Sequence, residues 1–185
     1  MISRKEAEEI LFEHLKSENL RRHSLATAAV MEKLAERFDK PTEEWFIAGL
    51  LHDIDFEQTA DDPDKHGVIA MQLLENVDIN DEMKGAILAH SGNAPLNTLM
   101  DKALWSADAV NGLIIAAALM RPDKSIKNIE LKSLKKKYKN RAFAAGANRE
   151  QIAKCCDFGI ELDDFLQLSI EALASYETEL GFGNK

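Results

Sequence analysis

Apolar residues recur at helical intervals along almost the whole chain, and no stretch shows sustained two-residue alternation with β-branched enrichment, so the sequence predicts an all-α fold. Ser3 followed by Glu6 has the form of a capping box, after which Ile10, Leu11, His14 and Leu15 share one side of a first helix. A second helix is expected over about residues 20–38, with a stripe through Leu25, Ala28, Met31, Leu34 and Phe38. Pro41 suits the first turn of a third, whose buried centre is FIAGLLH and which ends near HDID. Pro63 opens a fourth over PDKHGVIAMQLLEN, and Asn80 caps a fifth leading to His90. The longest helical stretch, about residues 99–120, is stopped by Arg121-Pro122. Asn148 caps a restart, and final helices are expected over about residues 149–158 and 163–179.

A length of 185 residues is enough for one domain with a substantial core, and residues 1–185 are expected to form it. No apolar run approaches the roughly 20 residues that cross a bilayer. The start, MISRKEAEEILFEHL, has charges where a signal peptide needs its apolar centre, so a cytoplasmic protein without membrane contact is expected. Cys155 and Cys156 are neighbours, a spacing that suits free thiols better than a disulfide or a redox pair. The net charge of −9 argues against nucleic acid as a general partner. The charge is uneven, however. From Arg121 to Arg141 nine Lys or Arg stand against two acids, which gives this segment +7 and leaves −16 on the rest.

Four of the five histidines fall into an ordered series with two aspartates: His23, His52-Asp53, His66, His90 and Asp108. Each lies in or beside a predicted helix, and side chains from neighbouring helices are how helical proteins build metal sites in their cores. Imidazole nitrogen and carboxylate oxygen suit divalent iron, manganese, zinc or nickel better than magnesium alone. Bland readings stand beside each. His23 follows two arginines and fits a surface position; His66 fits a polar helix start; His90 fits a helix C-terminus, where it complements the dipole. Asp108 interrupts the apolar LWSADAVNGLIIAAALM, and a buried carboxylate needs a partner. His14 reads as an ordinary core or surface histidine.

The order His, His-Asp, Asp, with AGLLHD at its centre and SADAV at its end, resembles the HD superfamily of metal-dependent phosphohydrolases over roughly residues 22–112. The rest resembles a small bacterial and archaeal subgroup of predicted HD hydrolases. The resemblance implies a compact helical bundle with its metal site between core helices, a metal-binding core of about residues 20–121, and a basic segment with C-terminal helices over 122–185. It also implies His23, His52, Asp53 and Asp108 as shared metal ligands. With His66 and His90 in the places of two further histidines, it implies one or two divalent ions per chain, bridged by Asp53. Many phosphodiesterase relatives read HDIGK, with a lysine that helps bind phosphate. This chain has HDIDFE, and Asp55 and Glu57 read either as caps of the next turn or as partners of metal-bound water.

The function implied is hydrolysis of a phosphate monoester or diester, in a nucleotide or another small phosphorylated molecule, with Asp53 as the catalytic residue. Lys132, Lys135, Lys136, Lys137, Lys139 and Arg141 read either as a substrate-attracting rim or as a solvated helix face. The alternative is a non-catalytic metal-binding module that senses a nucleotide or binds a protein partner. RNA binding through the lysines is weaker, because only Tyr138 and Phe143 interleave the charges. Walker, Rossmann, Gly-x-Ser-x-Gly and zinc-finger patterns are absent from the sequence.

Overall fold

The computed structural model describes residues 1–183, and among them every regular element is helical. In chain order these are α1 (Arg4–His14), α2 (Glu18–Arg37), α3 (Thr42–Leu51), α4 (Phe56–Thr59), α5 (Val68–Leu73), α6 (Asp81–His90), α7 (Leu99–Leu119), α8 (Leu131–Lys139), α9 (Arg149–Ala153) and α10 (Leu162–Ser175). The caps act as their chemistry dictates. Ser3 and Glu6 close a capping box on α1, Asn80 accepts from the Met83 N–H on α6, and Asn148 accepts from Glu150 and Gln151 on α9.

Two helices form the centre. In α3 every residue from Trp45 to Leu51 is buried, the pattern of a helix surrounded by protein on all sides. It packs most closely on α2, whose facing surface is small: Ala26, Ala28 and Ala29 are fully buried. Gly49 exploits this, because a Cβ there would lie 2.8 Å from Ala28 Cα. The other central helix, α7, packs on α2, α3, α6, α8, α9 and α10. By length and composition α7 could cross a membrane, but 61% of its most apolar window is buried inside the protein. Its apolarity is that of a core helix.

One expected element differs. PDKHGVIAMQLLEN is not one helix: a 3-10 turn covers Pro63–Lys65, and α5 starts only at Val68. His66 (ψ 135°) and Gly67 (φ 77°) leave helical geometry between them. Position 67 requires glycine, since a Cβ there would also lie 2.6 Å from Ser91 Oγ. The break turns His66 inward. The last two helices are likewise shorter than expected: residues 154–158 tighten into a 3-10 turn ended by Gly159 in the left-handed region, and α10 ends at Ser175.

Candidate metal centre

The series converges from five separate places in the fold. His23 lies on α2, whose start is tied down by Glu57: its Oε1 accepts from the N–H groups of Lys16 (2.9 Å) and Ser17 (2.6 Å). Glu57 thus anchors the entry to α2, not its own turn. His52 ends α3, fully buried, with Nδ1 2.8 Å from the Gly49 carbonyl. That carbonyl can only accept, so His52 carries a proton on Nδ1 and turns Nε2 toward the other groups of the series. His90, the last residue of α6, does the same through the Ile87 carbonyl. Asp108 reaches in from the middle of α7.

These atoms form two abutting groups. In the first, His23 Nε2 lies 3.3 Å from His52 Nε2 and 2.8 Å from Asp108 Oδ1, with Asp108 Oδ1 3.7 Å from His52 Nε2. Asp53 Oδ2 faces both histidines at 3.5 and 3.4 Å. In the second, His66 Nε2 and His90 Nε2 are 3.1 Å apart, and each lies 3.2 Å from Asp53 Oδ1. Asp53 turns one oxygen to each group.

The donor set fits divalent cations. For metal–ligand bonds of about 2.1 Å, two ligands at right angles sit about 3.0 Å apart and two at the tetrahedral angle about 3.4 Å. The separations above bracket those values. Imidazole lone pairs pointing at one another also repel unless a cation or a proton stands between them. Sets drawn from His23, His52 and Asp108, and from His52, Asp53 and His90, each place their ligand atoms within 4.8 Å of one another.

Without metal, protons take that place. Burial pulls the His23 imidazole down, but its hydrogen bond to Asp108 and the charges of Asp108 and Asp53 prevail and raise it to about 9. Burial likewise opposes charge on His66, and Asp53 and Asp55 overcome it, raising His66 to about 10. Burial pushes the Asp53 carboxyl up, yet His52, His66 and His90 hold it well below the usual carboxylate range. Asp108 is held down in the same way by His23 and His52.

A cavity of about 430 Å³ opens above these groups, with Leu20, Phe56, Ser91, Trp105 and Gln151 completing its wall. These were not singled out from the sequence. Trp105 lies three residues before Asp108 on α7, so helical spacing could have flagged it. Gln151 carries no such signal. It arrives through the loop after α8, which Arg149 organises by donating to the carbonyls of Tyr138, Phe143, Ala144 and Ala147.

The basic residues lie elsewhere. Lys132, Lys135, Lys136 and Lys139 line a separate hollow of about 320 Å³ with Leu131. Lys137 sits over the Phe143 ring, and Arg141 borders a third hollow with residues 145–149. None of the six lines the metal cavity. A larger cavity of about 580 Å³ bordered by Leu11, Phe12, Arg21 and Leu25 lacks a histidine–carboxylate set, and its arginines are engaged. Arg22 pairs with Glu18, and Arg21 donates to the Leu15 carbonyl.

The family profile described as HD domain matches residues 20–136. No curated protein and no solved structure matches the chain.

Proposed function

The chain belongs to the HD domain family, whose members bind divalent metals and are generally metal-dependent hydrolases, and from that premise we propose that it is a cytoplasmic phosphohydrolase with a two-metal centre. Its substrate is a phosphate monoester or diester of a nucleotide or another small phosphorylated molecule. The observation that carries the reading is the division of Asp53, with Oδ2 toward His23 and His52 and Oδ1 toward His66 and His90. One carboxylate shared in this way suits a pair of adjacent cations. His23, His52 and Asp108 complete one set, and His66 and His90 the other. Iron, manganese, zinc or nickel suits these nitrogen-rich sets better than magnesium alone.

When bound, such cations act as Lewis acids and bring the pKa of water toward neutrality. The chain supplies the rest. Asp53 stays ionised, because its pKa lies well below the usual range, so it accepts a hydrogen bond from the attacking water and fixes its direction. Leu20, Phe56 and Trp105 exclude bulk water and offer apolar surface to the body of the substrate, while Gln151 offers one amide to its polar groups. The α8 lysines act at longer range, as a field that draws anions toward an otherwise acidic molecule.

The test is metal content per chain, measured on protein purified anaerobically without a histidine tag, followed by hydrolysis assays on nucleotides and phosphodiesters with the metal found. About two ions per chain and turnover lost in Asp53→Ala, by at least about a thousandfold with helical content intact, support the reading. No metal after reconstitution, or wild-type turnover in Asp53→Ala, sinks it.

A further inference from the structure

His66 departs from helical backbone geometry, whereas His52 keeps it just past the end of α3 and His90 ends α6, and two side chains that follow the His52-Asp53 pair hold His66 in place. Asp55 is fully buried. Its Oδ1 lies 2.9 Å from His66 Nδ1, and its Oδ2 accepts from the N–H groups of Gly67 (2.7 Å) and Ala70 (2.9 Å). One carboxylate therefore fixes the imidazole and caps the first turn of α5 immediately behind it. Phe56 packs edge-on against the same imidazole, with ring centroids 5.7 Å apart and planes at 87°.

From this arrangement we infer that Asp55 is a positioning residue that keeps the proton of His66 on Nδ1 and so leaves Nε2 free to ligate, with Phe56 holding the ring against rotation. A carboxylate accepts only, so whatever stands opposite it must donate. Nδ1 then carries a proton in the neutral and in the charged imidazole alike, and Nε2 is the atom left facing Asp53 and His90. His52 and His90 obtain the same tautomer from backbone carbonyls three residues back, those of Gly49 and Ile87. His66 has no helix to provide one, and Asp55 replaces it. The inference rests on the proposed role of His66 as a ligand of the second ion.

Asp55→Asn separates positioning from simple capping. The asparagine oxygen stays on the Gly67 and Ala70 N–H groups, because the reverse placement would press an NH2 against two buried N–H donors. The amide NH2 then faces His66 Nδ1, which gives up its proton, and the proton that remains sits on Nε2, which donates it in a hydrogen bond to Asp53 Oδ1 at 3.2 Å. The helix cap survives while the ligand lone pair is lost.

Imidazole nitrogen–proton NMR on metal-free protein reads the first consequence and zinc titration by calorimetry the second. In wild type, His66 Nδ1 is protonated and two zinc ions bind. In Asp55→Asn, Nδ1 is unprotonated and melting is little changed. The first zinc keeps its affinity, and the second weakens by about 10–100-fold. Phe56→Leu keeps the Nδ1 proton and weakens the second zinc by a smaller factor. The inference is overturned by an unprotonated Nδ1 in wild type, by an Nδ1 proton that persists in Asp55→Asn, or by an unaltered second zinc in that variant. Failure of wild type to bind zinc at all would overturn the two-metal reading instead, and the metal-free spectrum would still decide the tautomer, even if Asp55→Asn did not fold.

Discussion

Gly49→Ala adds a single carbon at the place where the two ligand-bearing helices touch. The new Cβ would lie 2.8 Å from Ala28 Cα, 2.9 Å from Ala28 N and 3.1 Å from Met31 Cγ. Met31 can swing away, but the backbone of α2 cannot. Reaching an ordinary contact of 3.4 Å therefore moves α3 from α2 by about 0.6 Å. Overpacking against backbone costs about 3 kcal/mol, the upper end of its usual range, and alanine in place of glycine within a helix returns about 1 kcal/mol. The net loss is about 2 kcal/mol, or a melting temperature lower by roughly 4–8 °C for a chain of this size. The displacement also reaches the metal centre, because His23 rides on α2 while His52 and Asp53 close α3. Ligand distances tolerate about 0.2 Å, so the affinity of the His23–His52–Asp108 group for zinc falls by at least about tenfold. Gly85→Ala is the control: Gly85 is exposed on α6 and nothing lies within 4 Å of its added Cβ, so that variant gains about 1 kcal/mol. Urea denaturation of the metal-free proteins and zinc calorimetry measure both effects. A Gly49→Ala protein as stable as wild type, with unchanged zinc affinity, would refute the argument that this approach sets the ligand spacing.

Two further expectations concern charge. His23 and His66, raised to about 9 and about 10, hold protons at neutral pH in the metal-free protein. Each ion must then displace about one proton, so both affinities rise about tenfold per pH unit between pH 6.5 and 8.5 and level off above the raised pKa values. Calorimetry in buffers of different ionisation enthalpy counts those protons, and a pH-independent affinity would contradict the raised values. Reversing Lys135 and Lys136 to Glu should raise KM about three- to tenfold at low salt with kcat unchanged, because they lie outside the histidine–aspartate cavity. The effect should fade as added salt shortens the screening length below ~10 Å, and an unaltered KM at low salt would mark α8 as a merely solvated face.

The helices and most of their ends were legible because a helix is specified within a few residues of itself. The Ser3–Glu6 box, the Asn80 and Asn148 caps and the stop after α7 need no distant partner. The break before α5 was not legible, since it depends on the close passage of Ser91 beneath Gly67. The metal-binding candidates could be named in advance because their chemistry lies in residue type and order. Trp105 and Gln151 could not, since a cavity wall is assembled from residues far apart in the chain, and Gln151 owes its position to the loop carbonyls gathered by Arg149.

By itself, then, the sequence determined an all-α chain carrying an ordered set of imidazoles and carboxylates, because backbone hydrogen bonding and side-chain chemistry are local properties. Tertiary structure alone decided that the two oxygens of Asp53 face different histidine groups, that Asp55 serves His66, and that the lysines of α8 stand apart from the cavity. Those outcomes turn on distances of a few ångströms between helices, and such distances are set by how closely buried surfaces such as Gly49 and Ala28 approach, which no local pattern encodes.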